Sequence, residues 1–359
     1  VLLFSGYVDT MRTWSEREVT SLVHEMKKRL LPKVFVLLVL LNIWELNGRG
    51  VRGDFQFIEF FAGSRTATTC VADAGFGSTC IDIADHKRAG YACGEGTVFD
   101  INSTSGFVLA IQAILQGNEN GFVVWLGILC STWSAVSRGS TFRWYLNPLG
   151  LQDRPCVAAG NLMVSRCSLL MALVVCMGGQ FICEQPRQSL LYRHPRFRWL
   201  TTIVKVFRSC WWMRLYGGPS PKRHVAYSSS PWIERFNVGR LHGWKPSDNT
   251  KKNVAVWVDK ATGKKKYHGT KHLKSTECYP LRFGLKVADL MPHLLEDCQV
   301  PECPPEANGK EIFQSMKYQD LWEDASLSEC CVYVRGSTKL EIPPGWRELL
   351  PIFRKHVAP

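Results

Sequence analysis

The chain has 359 residues, of which 46% are hydrophobic and 21% are charged, and its formal net charge is +13. This composition excludes an intrinsically disordered protein and suits one large α/β domain with a smaller lobe. The basic balance favours an acidic partner, such as nucleic acid or an anionic surface. The 14 cysteines form no C-x-x-C pair, so we expect reduced thiols and an intracellular protein, located in either the nucleus or the cytoplasm.

The N-terminal region, residues 1–53, is predicted to be a helical extension that ends in a Gly- and Arg-rich linker. Its apolar run VFVLLVLL (34–41) is followed by Asn42 and Glu45. Because a membrane-spanning helix needs about 18 to 20 apolar residues, this run predicts a core or docking helix and no membrane association.

Strand-like and helical patterns alternate through residues 54–228, which we expect to form the main domain. The predicted strands are residues 55–63, 77–85, 96–102, 122–129 and 180–186, and the predicted helices are residues 66–75, 106–117 and 161–179. This alternation predicts a parallel sheet that is covered by helices on both faces.

The character of the chain changes after residue 228. Residues 245–274 contain nine Lys and two Asp, and an apolar–polar alternation there predicts a small basic β-rich module over 229–274. The alternative interpretation of this module is a solvated surface hairpin. Residues 275–296 are predicted to return as a helix of the main domain, and 297–359 to form a linker and a tail that ends in a hairpin.

Three of the predicted strands end in residues that suit a nucleoside. In an open parallel sheet, ligands bind beyond the carboxyl ends of the strands. EFFAGS places Phe61 and Gly63 at the first strand end, Asp82 follows 19 residues later, and Asp100 ends the third strand. A glycine allows close backbone approach and an acid at this spacing suits a ribose, so we predict an adenosine-shaped pocket. The alternative is that each acid is a solvated or helix-capping carboxylate.

The next two strands bring a thiol and a carboxyl group to the same edge. Cys130 follows the fourth strand, and Glu184 ends the fifth strand. These groups predict a nucleophile with an acid beside it, and Arg138 is a cation that could raise the thiolate fraction. Alternatively, Cys130 is one more small apolar side chain, and Glu184 pairs with Arg187 or Arg196.

The order of these residues resembles a diverged member of the cytosine-C5 DNA methyltransferase family. EFFAGS is similar to that family's first motif, LCSTWS (129–134) to its Pro-Cys-Gln-x-Phe-Ser motif, and FICEQP to its Glu-Asn-Val strand. GGPSPKRHVAYSS (217–229) is similar to its later arginine strand. The resemblance covers roughly residues 55–295, and it implies a Rossmann-like, mostly parallel seven-stranded sheet.

The resemblance also implies functional residues. It places an S-adenosyl-L-methionine site at eight residues: Phe61, Ala62, Gly63, Ser64, Asp82, Ile83, Asp100 and Ile101. It implies a catalytic set of Cys130 as the nucleophile, Glu184 as the acid on the cytosine ring, and Lys222 and Arg223 near the family's two arginines, with His224 next to them. It places substrate contacts at Ser134, Arg138, Lys264, Lys265 and Lys266. No metal site is expected.

The implied activity is methyl transfer to C5 of a flipped-out cytosine through a covalent Cys130 adduct. Residues 131–148 suit a loop that closes over that base, and the Lys-rich module suits phosphate binding. We expect DNA as the partner, with RNA as the alternative, and a monomer.

Departures from the family pattern, such as Leu129, Ser131 and Arg65, predict weakened or retargeted activity. Two rival functions stay open: a methyltransferase for RNA or a small molecule, and an inactive nucleic-acid-binding relative.

Overall fold

The computed structural model describes residues 13–49, 53–243, 254–263, 265–270 and 276–302, together with five residues of the C-terminal region. The helices are α1 (Glu16–Lys28), α2 (Lys33–Arg49), α3 (Thr66–Asp73), α4 (Thr104–Leu115), α5 (Arg138–Thr141), α6 (Pro155–Cys176), α7 (Pro195–Ile203) and α8 (Leu281–Glu296). The strands are β1 (Phe57–Phe60), β2 (Ser78–Ile81), β3 (Val123–Leu126), β4 (Gln180–Pro186), β5 (Phe207–Trp212), β6 (Arg223–Ser228), β7 (Val254–Val258) and β8 (Lys265–Gly269).

The main sheet has six strands in the order β2-β1-β3-β4-β6-β5. β1 pairs in parallel with β2 and β3, and β3 pairs in parallel with β4. β6 is antiparallel to both β4 and β5, between which it lies. The fold is therefore α/β with a mixed sheet, and the prediction of seven strands is wrong for the described part of the chain.

The predicted strand over residues 96–102 is one reason for the difference, because this segment forms turns. The Asp100 carboxylate accepts hydrogen bonds from the backbone N–H groups of Gly96, at 3.1 Å, and Asn102, at 2.9 Å. Ser103 then caps α4 by accepting from the Gly106 N–H at 2.8 Å. Local side-chain-to-backbone bonds of this kind compete with strand pairing, and here they replace it.

Helices cover both faces of the sheet, as predicted. Alternate strand residues point to opposite faces, so Ile58 and Phe60 of β1 pack in one hydrophobic cluster and Phe57 packs in another. The larger cluster includes α1, α2, α4, α6 and α7, and the smaller cluster includes α3 and α8.

The predicted N-terminal helices are present and belong to the larger cluster. Ser15 forms a capping box with Glu18 at the start of α1, which fixes where that helix begins. Phe35 of α2 is fully buried, and its ring centroid lies 6.1 Å from that of Phe107 in α4. By length and composition α6 could cross a membrane, but 72% of its most apolar window is buried inside the protein, which is typical of a core helix.

The basic module contains a two-stranded antiparallel hairpin, β7–β8. β8 lies beside the short 3-10 helix Ala135–Ser137, which belongs to the segment that follows Cys130. In the predicted C-terminal hairpin, the described residues Glu329, Cys330, Tyr333 and Val334 are helical instead. The 12 described cysteines are all free thiols.

Candidate active site

The candidate site lies where β1 and β3 meet at their carboxyl ends. The chain leaves β1 toward β2 on one side and reaches β3 on the other, which makes this edge a topological switch point, where open α/β sheets bind ligands. Phe60 pairs with Leu126, and Leu126 pairs with Cys183. The residues that follow them, Phe61, Gly127 and Glu184, therefore lie side by side at the carboxyl edge. Three strands therefore bring Phe61, Gly127 and Glu184 to one edge of the sheet.

The turn after β1 is a strained loop that is tied to β2. Phe61, Gly63 and Arg65 all have positive φ, at 62°, 49° and 58°. The Gly63 N–H donates to the Asp82 carboxylate at 2.9 Å, and the Phe61 N–H donates to the Ile81 carbonyl at 2.9 Å. A Cβ on Gly63 would meet nothing within 4 Å, so the loop faces open space there. Strain of this kind concentrates at ligand-binding sites.

The two residues on either side of Gly63, Ala62 and Ser64, have structural roles. Ala62 is buried, and the Ser64 and Thr66 hydroxyl oxygens lie 2.9 Å apart at the start of α3.

Asp82 holds this loop and also caps a helix. One carboxylate oxygen accepts from Gly63, and the other accepts from the Ala84 N–H at 2.8 Å. Asp82 and Asp85 form a capping box on the 3-10 helix Ile83–Lys87, and Asp85 pairs with Arg65. The capping alternative for Asp82 is thus confirmed. Each carboxylate oxygen can accept a second hydrogen bond, and the exposed side chain of Ile83 lies next to it.

Asp100 and Ile101 have local structural roles. Both Asp100 oxygens accept from backbone N–H groups of their own turn. Ile101 is buried in the core, and its carbonyl accepts from the Arg166 guanidinium at 2.7 Å. The Asp100 turn still reaches the Asp82 region, because a Cβ on Gly94 would lie 2.7 Å from the Ile83 side chain.

Cys130 lies in a charged setting that contains the predicted acid. Burial raises the pKa of its thiol above the ordinary range, and the carboxylates of Glu184 and Glu277 raise it further, while the Lys222 ammonium lowers it. The Cys130 carbonyl accepts from the N–H groups of Trp133 and Ser134, both at 3.0 Å, so the chain turns sharply after it. Cys130, Glu184 and Lys222 are therefore close enough to affect one another's ionisation.

Glu184 is buried and both of its oxygens are hydrogen bonded. One oxygen contacts His224 Nδ1, and the other accepts from the Tyr279 hydroxyl at 2.9 Å. The same hydroxyl accepts from Trp125 Nε1 at 3.2 Å. Burial opposes ionisation of Glu184, but His224, Lys222 and Tyr279 together lower its pKa below the ordinary value. A buried network of Glu, His, Tyr and Trp thus keeps this carboxylate ionised.

The register of β6 decides which basic residue meets Glu184. His224 shares a face with Glu184 and stacks on Trp211, with ring centroids 6.0 Å apart. Arg223 points to the opposite face, where its guanidinium lies 5.3 Å from the Trp212 ring. The placement of Arg223 at the catalytic group is therefore wrong, and His224 occupies that place. The alternative pairing of Glu184 with Arg187 or Arg196 is not the contact observed.

Tyr279 also closes the crevice between β1 and β3. A Cβ on Gly127 would lie 3.3 Å from the Tyr279 hydroxyl oxygen and 3.4 Å from the Phe61 carbonyl oxygen. The sequence analysis missed Tyr279 and assigned no role to its segment beyond a returning helix. An aromatic next to Pro280 at a helix start carries no catalytic motif, so little in the sequence signals its position.

The predicted substrate residues lie on the following loop and on the basic hairpin. Ser134 begins the 3-10 helix Ala135–Ser137 without a side-chain cap, and its hydroxyl lies 3.4 Å from that of Ser137. Arg138 donates to the Gln188 carbonyl at 3.5 Å. Lys265 is exposed on β8. Lys264 and the side chain of Lys266 lie outside the described residues.

A second buried carboxyl group, Glu59 of β1, was also missed. Glu59 Oε2 accepts from the Thr68 N–H at 3.0 Å and from its hydroxyl, while Oε1 is buried without a partner. Burial raises its pKa to about 7. The available signal was an acid inside the apolar strand FIEFF.

No group of three or more His, Cys, Asp or Glu side chains in the described ranges could hold a metal ion. A comparison with protein-family models, curated proteins and solved structures finds no match to this chain.

Proposed function

We propose that this protein is an S-adenosyl-L-methionine-dependent methyltransferase of the cytosine-C5 type, with Cys130 as its nucleophile. The observation that carries the proposal is the shared electrostatic environment of Cys130, Glu184 and Lys222 beside the switch point of the sheet. A thiol and an ionised carboxylate at a ligand-binding edge fit addition to an electron-poor ring. The parallel half of the sheet is consistent with the Rossmann-like fold that this function requires.

The turn after β1 fits the cofactor. Gly63 gives the backbone open space on its ligand side, Phe61 provides an aromatic ring, and Ile83 offers an exposed apolar side chain. Asp82 keeps free acceptor capacity for a ribose hydroxyl. When bound, S-adenosyl-L-methionine supplies an electrophilic methyl group. Each Asp100 oxygen likewise accepts one backbone hydrogen bond and keeps capacity for a second, which suits the exocyclic amine of the adenine.

The chain's own residues then have distinct roles. The Cys130 thiolate adds to C6 of cytosine, and the Lys222 ammonium favours that thiolate. Glu184 accepts a hydrogen bond from the exocyclic amine, and in its protonated fraction it donates its proton to N3 as the C6–S bond forms, which neutralises the negative charge that addition puts on the ring. His224 and Tyr279 position Glu184 and are positioning residues, since each contacts its carboxylate.

The test is covalent trapping on DNA that contains 5-fluorocytosine, in the presence of the cofactor. We expect a denaturation-resistant protein–DNA adduct with the native chain and none with Cys130→Ser. Cys93→Ser is the matched control, since Cys93 is an exposed thiol outside this site. A persistent adduct in Cys130→Ser, or no adduct with the native chain, would contradict the proposal.

A second candidate function is nucleic-acid binding without methyl transfer. It is favoured by the burial of Glu184, which is 7% exposed and hydrogen bonded to His224 and Tyr279, so that a cytosine has little access to its carboxyl group. Cofactor binding in calorimetry without transfer of a labelled methyl group to any nucleic acid would support this candidate over the first.

A further inference from the structure

The loop after Cys130 carries an exposed apolar tip, residues 142–146. Trp144 is 54% exposed, Tyr145 57% and Leu146 94%, and Phe142 next to them is also exposed. Exposing this much apolar surface to water is unfavourable in free energy, and contiguous patches of this kind mark interaction sites. None of these side chains contributes to the site described above, so the tip needs another explanation.

The tip is held rigidly from below by Arg143, which is fully buried. Its guanidinium lies 3.5 Å from the Trp133 ring centroid and donates to the Pro148 carbonyl at 2.6 Å and to Asn161 at 2.7 Å. A further bond reaches the Val157 carbonyl at 3.1 Å. A rigid support reduces the entropy lost when a ligand binds the exposed rings.

Cations lie directly beside the exposed rings. The Arg193 guanidinium is 3.4 Å from the Tyr145 ring centroid. Burial lowers the pKa of Arg193, and the charge of Arg198, five residues along the chain on α7, lowers it further. Neither forms an ion pair with a carboxylate in the part of the chain that the structure describes. Two adjacent cations without a carboxylate partner favour an anionic ligand.

We propose that residues 142–146, together with Arg193 and Arg198, form a stacking platform for unpaired bases of a nucleic-acid strand. Exposed aromatic rings beside cations are the elements that single-strand binders use, the rings for the bases and the cations for the phosphates. The inference rests on the proposed function and extends it, because it assigns the nucleic acid a single-stranded segment next to the target base. Basic β8 lies along the same loop, which extends the cationic surface.

The test measures the affinity of the full chain for a fluorescent single-stranded oligonucleotide and for its duplex, with quenching of tryptophan fluorescence as a second readout. We expect the single strand to bind about tenfold more tightly than the duplex. The double variant Trp144→Ala, Tyr145→Ala is expected to lose about tenfold in single-strand affinity, together with most of the quenching. Trp144→Phe, which keeps a ring for stacking, is expected to retain the affinity.

Leu285→Ala is the matched control, because it removes an equally exposed apolar side chain from α8. Equal single-strand affinity of the double variant and this control would overturn the platform, as would equal binding of single strand and duplex. Tip-dependent binding to anionic phospholipid vesicles, with no binding to oligonucleotide, would overturn it in favour of a membrane surface. Two readouts on the native chain separate the two proposals: tip-dependent single-strand binding without a 5-fluorocytosine adduct would overturn the proposed function alone, and an adduct without tip-dependent binding would overturn the platform alone.

Discussion

At the residue scale, Glu59 and Glu184 show how one fold treats two buried carboxyl groups differently. Among the described residues, the hydrogen bonds of Glu59 come from Thr68 and one of its oxygens has no partner, so burial dominates and its pKa rises to about 7. Glu184 is also buried, but the hydrogen bonds and charges of His224, Lys222 and Tyr279 outweigh burial and lower its pKa. The number and charge of the partners therefore decide which acid stays ionised.

Glu59→Gln should change the pH dependence of stability. A group whose pKa rises on folding contributes stability that is present below its unfolded pKa and is lost as the pH rises through its folded pKa, here between 4.5 and about 7. This shift corresponds to about 3 kcal/mol. We expect the free energy of unfolding of the variant, measured by urea denaturation, to exceed that of the native chain by up to this amount at pH 8. Near pH 4 the two free energies should be equal. Parallel curves for both proteins, with exposed Glu95→Gln as control, would contradict this assignment.

His224→Ala should lower the free energy of unfolding, and the loss should be larger at pH 7 than at pH 5. Removing the His224 ring leaves the buried Glu184 carboxylate with one hydrogen bond fewer, and a hydrogen bond to a charged group contributes about 1.5 to 3 kcal/mol. In the variant, Glu184 can escape that cost by taking up a proton, so the loss at pH 7 should shrink as the pH falls toward 5. The double variant Glu184→Gln, His224→Ala should recover part of the stability. Urea denaturation at several pH values measures both, and a pH-independent loss would show that His224 does not stabilise the ionised form of Glu184.

Lys222→Met should slow alkylation of Cys130. The Lys222 ammonium lowers the pKa of the thiol, so its removal raises that pKa and reduces the thiolate fraction at pH 8. We expect iodoacetamide to label the Cys130 peptide roughly three- to tenfold more slowly in the variant. The exposed Cys278 provides an internal control in the same digest, read by mass spectrometry. Equal Cys130 rates in both proteins would show that Lys222 does not act on the thiol.

At the element scale, four strands were predictable because their apolar or β-branched runs are bounded by Gly or polar residues. β1, β2, β3 and β4 fall within the predicted ranges, and β4 matches residues 180–186. The predicted strand over 96–102 failed because turn-forming Asp100 and Ser103 satisfy the backbone locally. Periodicity does not report such bonds, and it also cannot say which strand is inserted between two others, as β6 is.

Register limited the prediction of the site in the same way. A shift of one residue moves every side chain of a strand to the other face, so motif similarity alone could not choose between Arg223 and His224. The structure makes that choice through the contact of His224 with Glu184. The positions of Cys130 and Glu184 were predictable because Cys130 follows the parallel strand β3 and Glu184 lies near the carboxyl end of β4, whereas Tyr279 comes from a distant segment with no motif.

α2 should behave as part of the main core in a stability measurement. Phe35 is fully buried against Phe107 of α4, and truncating a buried Phe to Ala costs about 3 to 5 kcal/mol. We therefore expect Phe35→Ala to lower the free energy of unfolding by that amount in a single cooperative urea transition. Leu285→Ala, on an exposed face, should change it by less than about 0.5 kcal/mol. A separate early transition in the native chain would show instead that α1 and α2 unfold independently.

At the scale of the whole molecule, part of the positive charge lies close to the candidate active site. The net charge of +13 is accompanied by a Lys-rich hairpin next to the loop that follows Cys130. Both faces of the sheet are covered by apolar clusters, so its carboxyl edge is where the charged side chains and the Cys130 thiol lie. If the proposed function holds, long-range attraction would bring a polyanion toward the thiol before any specific contact forms.

Lys265→Ala should reduce the salt dependence of nucleic-acid binding. Each phosphate contact to a single strand contributes a slope of about −0.7 to the plot of log affinity against log salt, because counterions are released on binding. Loss of one contact should make the slope less negative by about that amount and weaken binding at low salt most. Lys33→Ala, at an exposed position that begins α2, provides the matched loss of one charge and should leave the slope unchanged. The measurement is fluorescence anisotropy between 50 and 300 mM salt. Over this range the Debye length falls from about 14 Å to about 6 Å. Equal changes of slope in both variants would mean that net charge, and not the hairpin, attracts the strand.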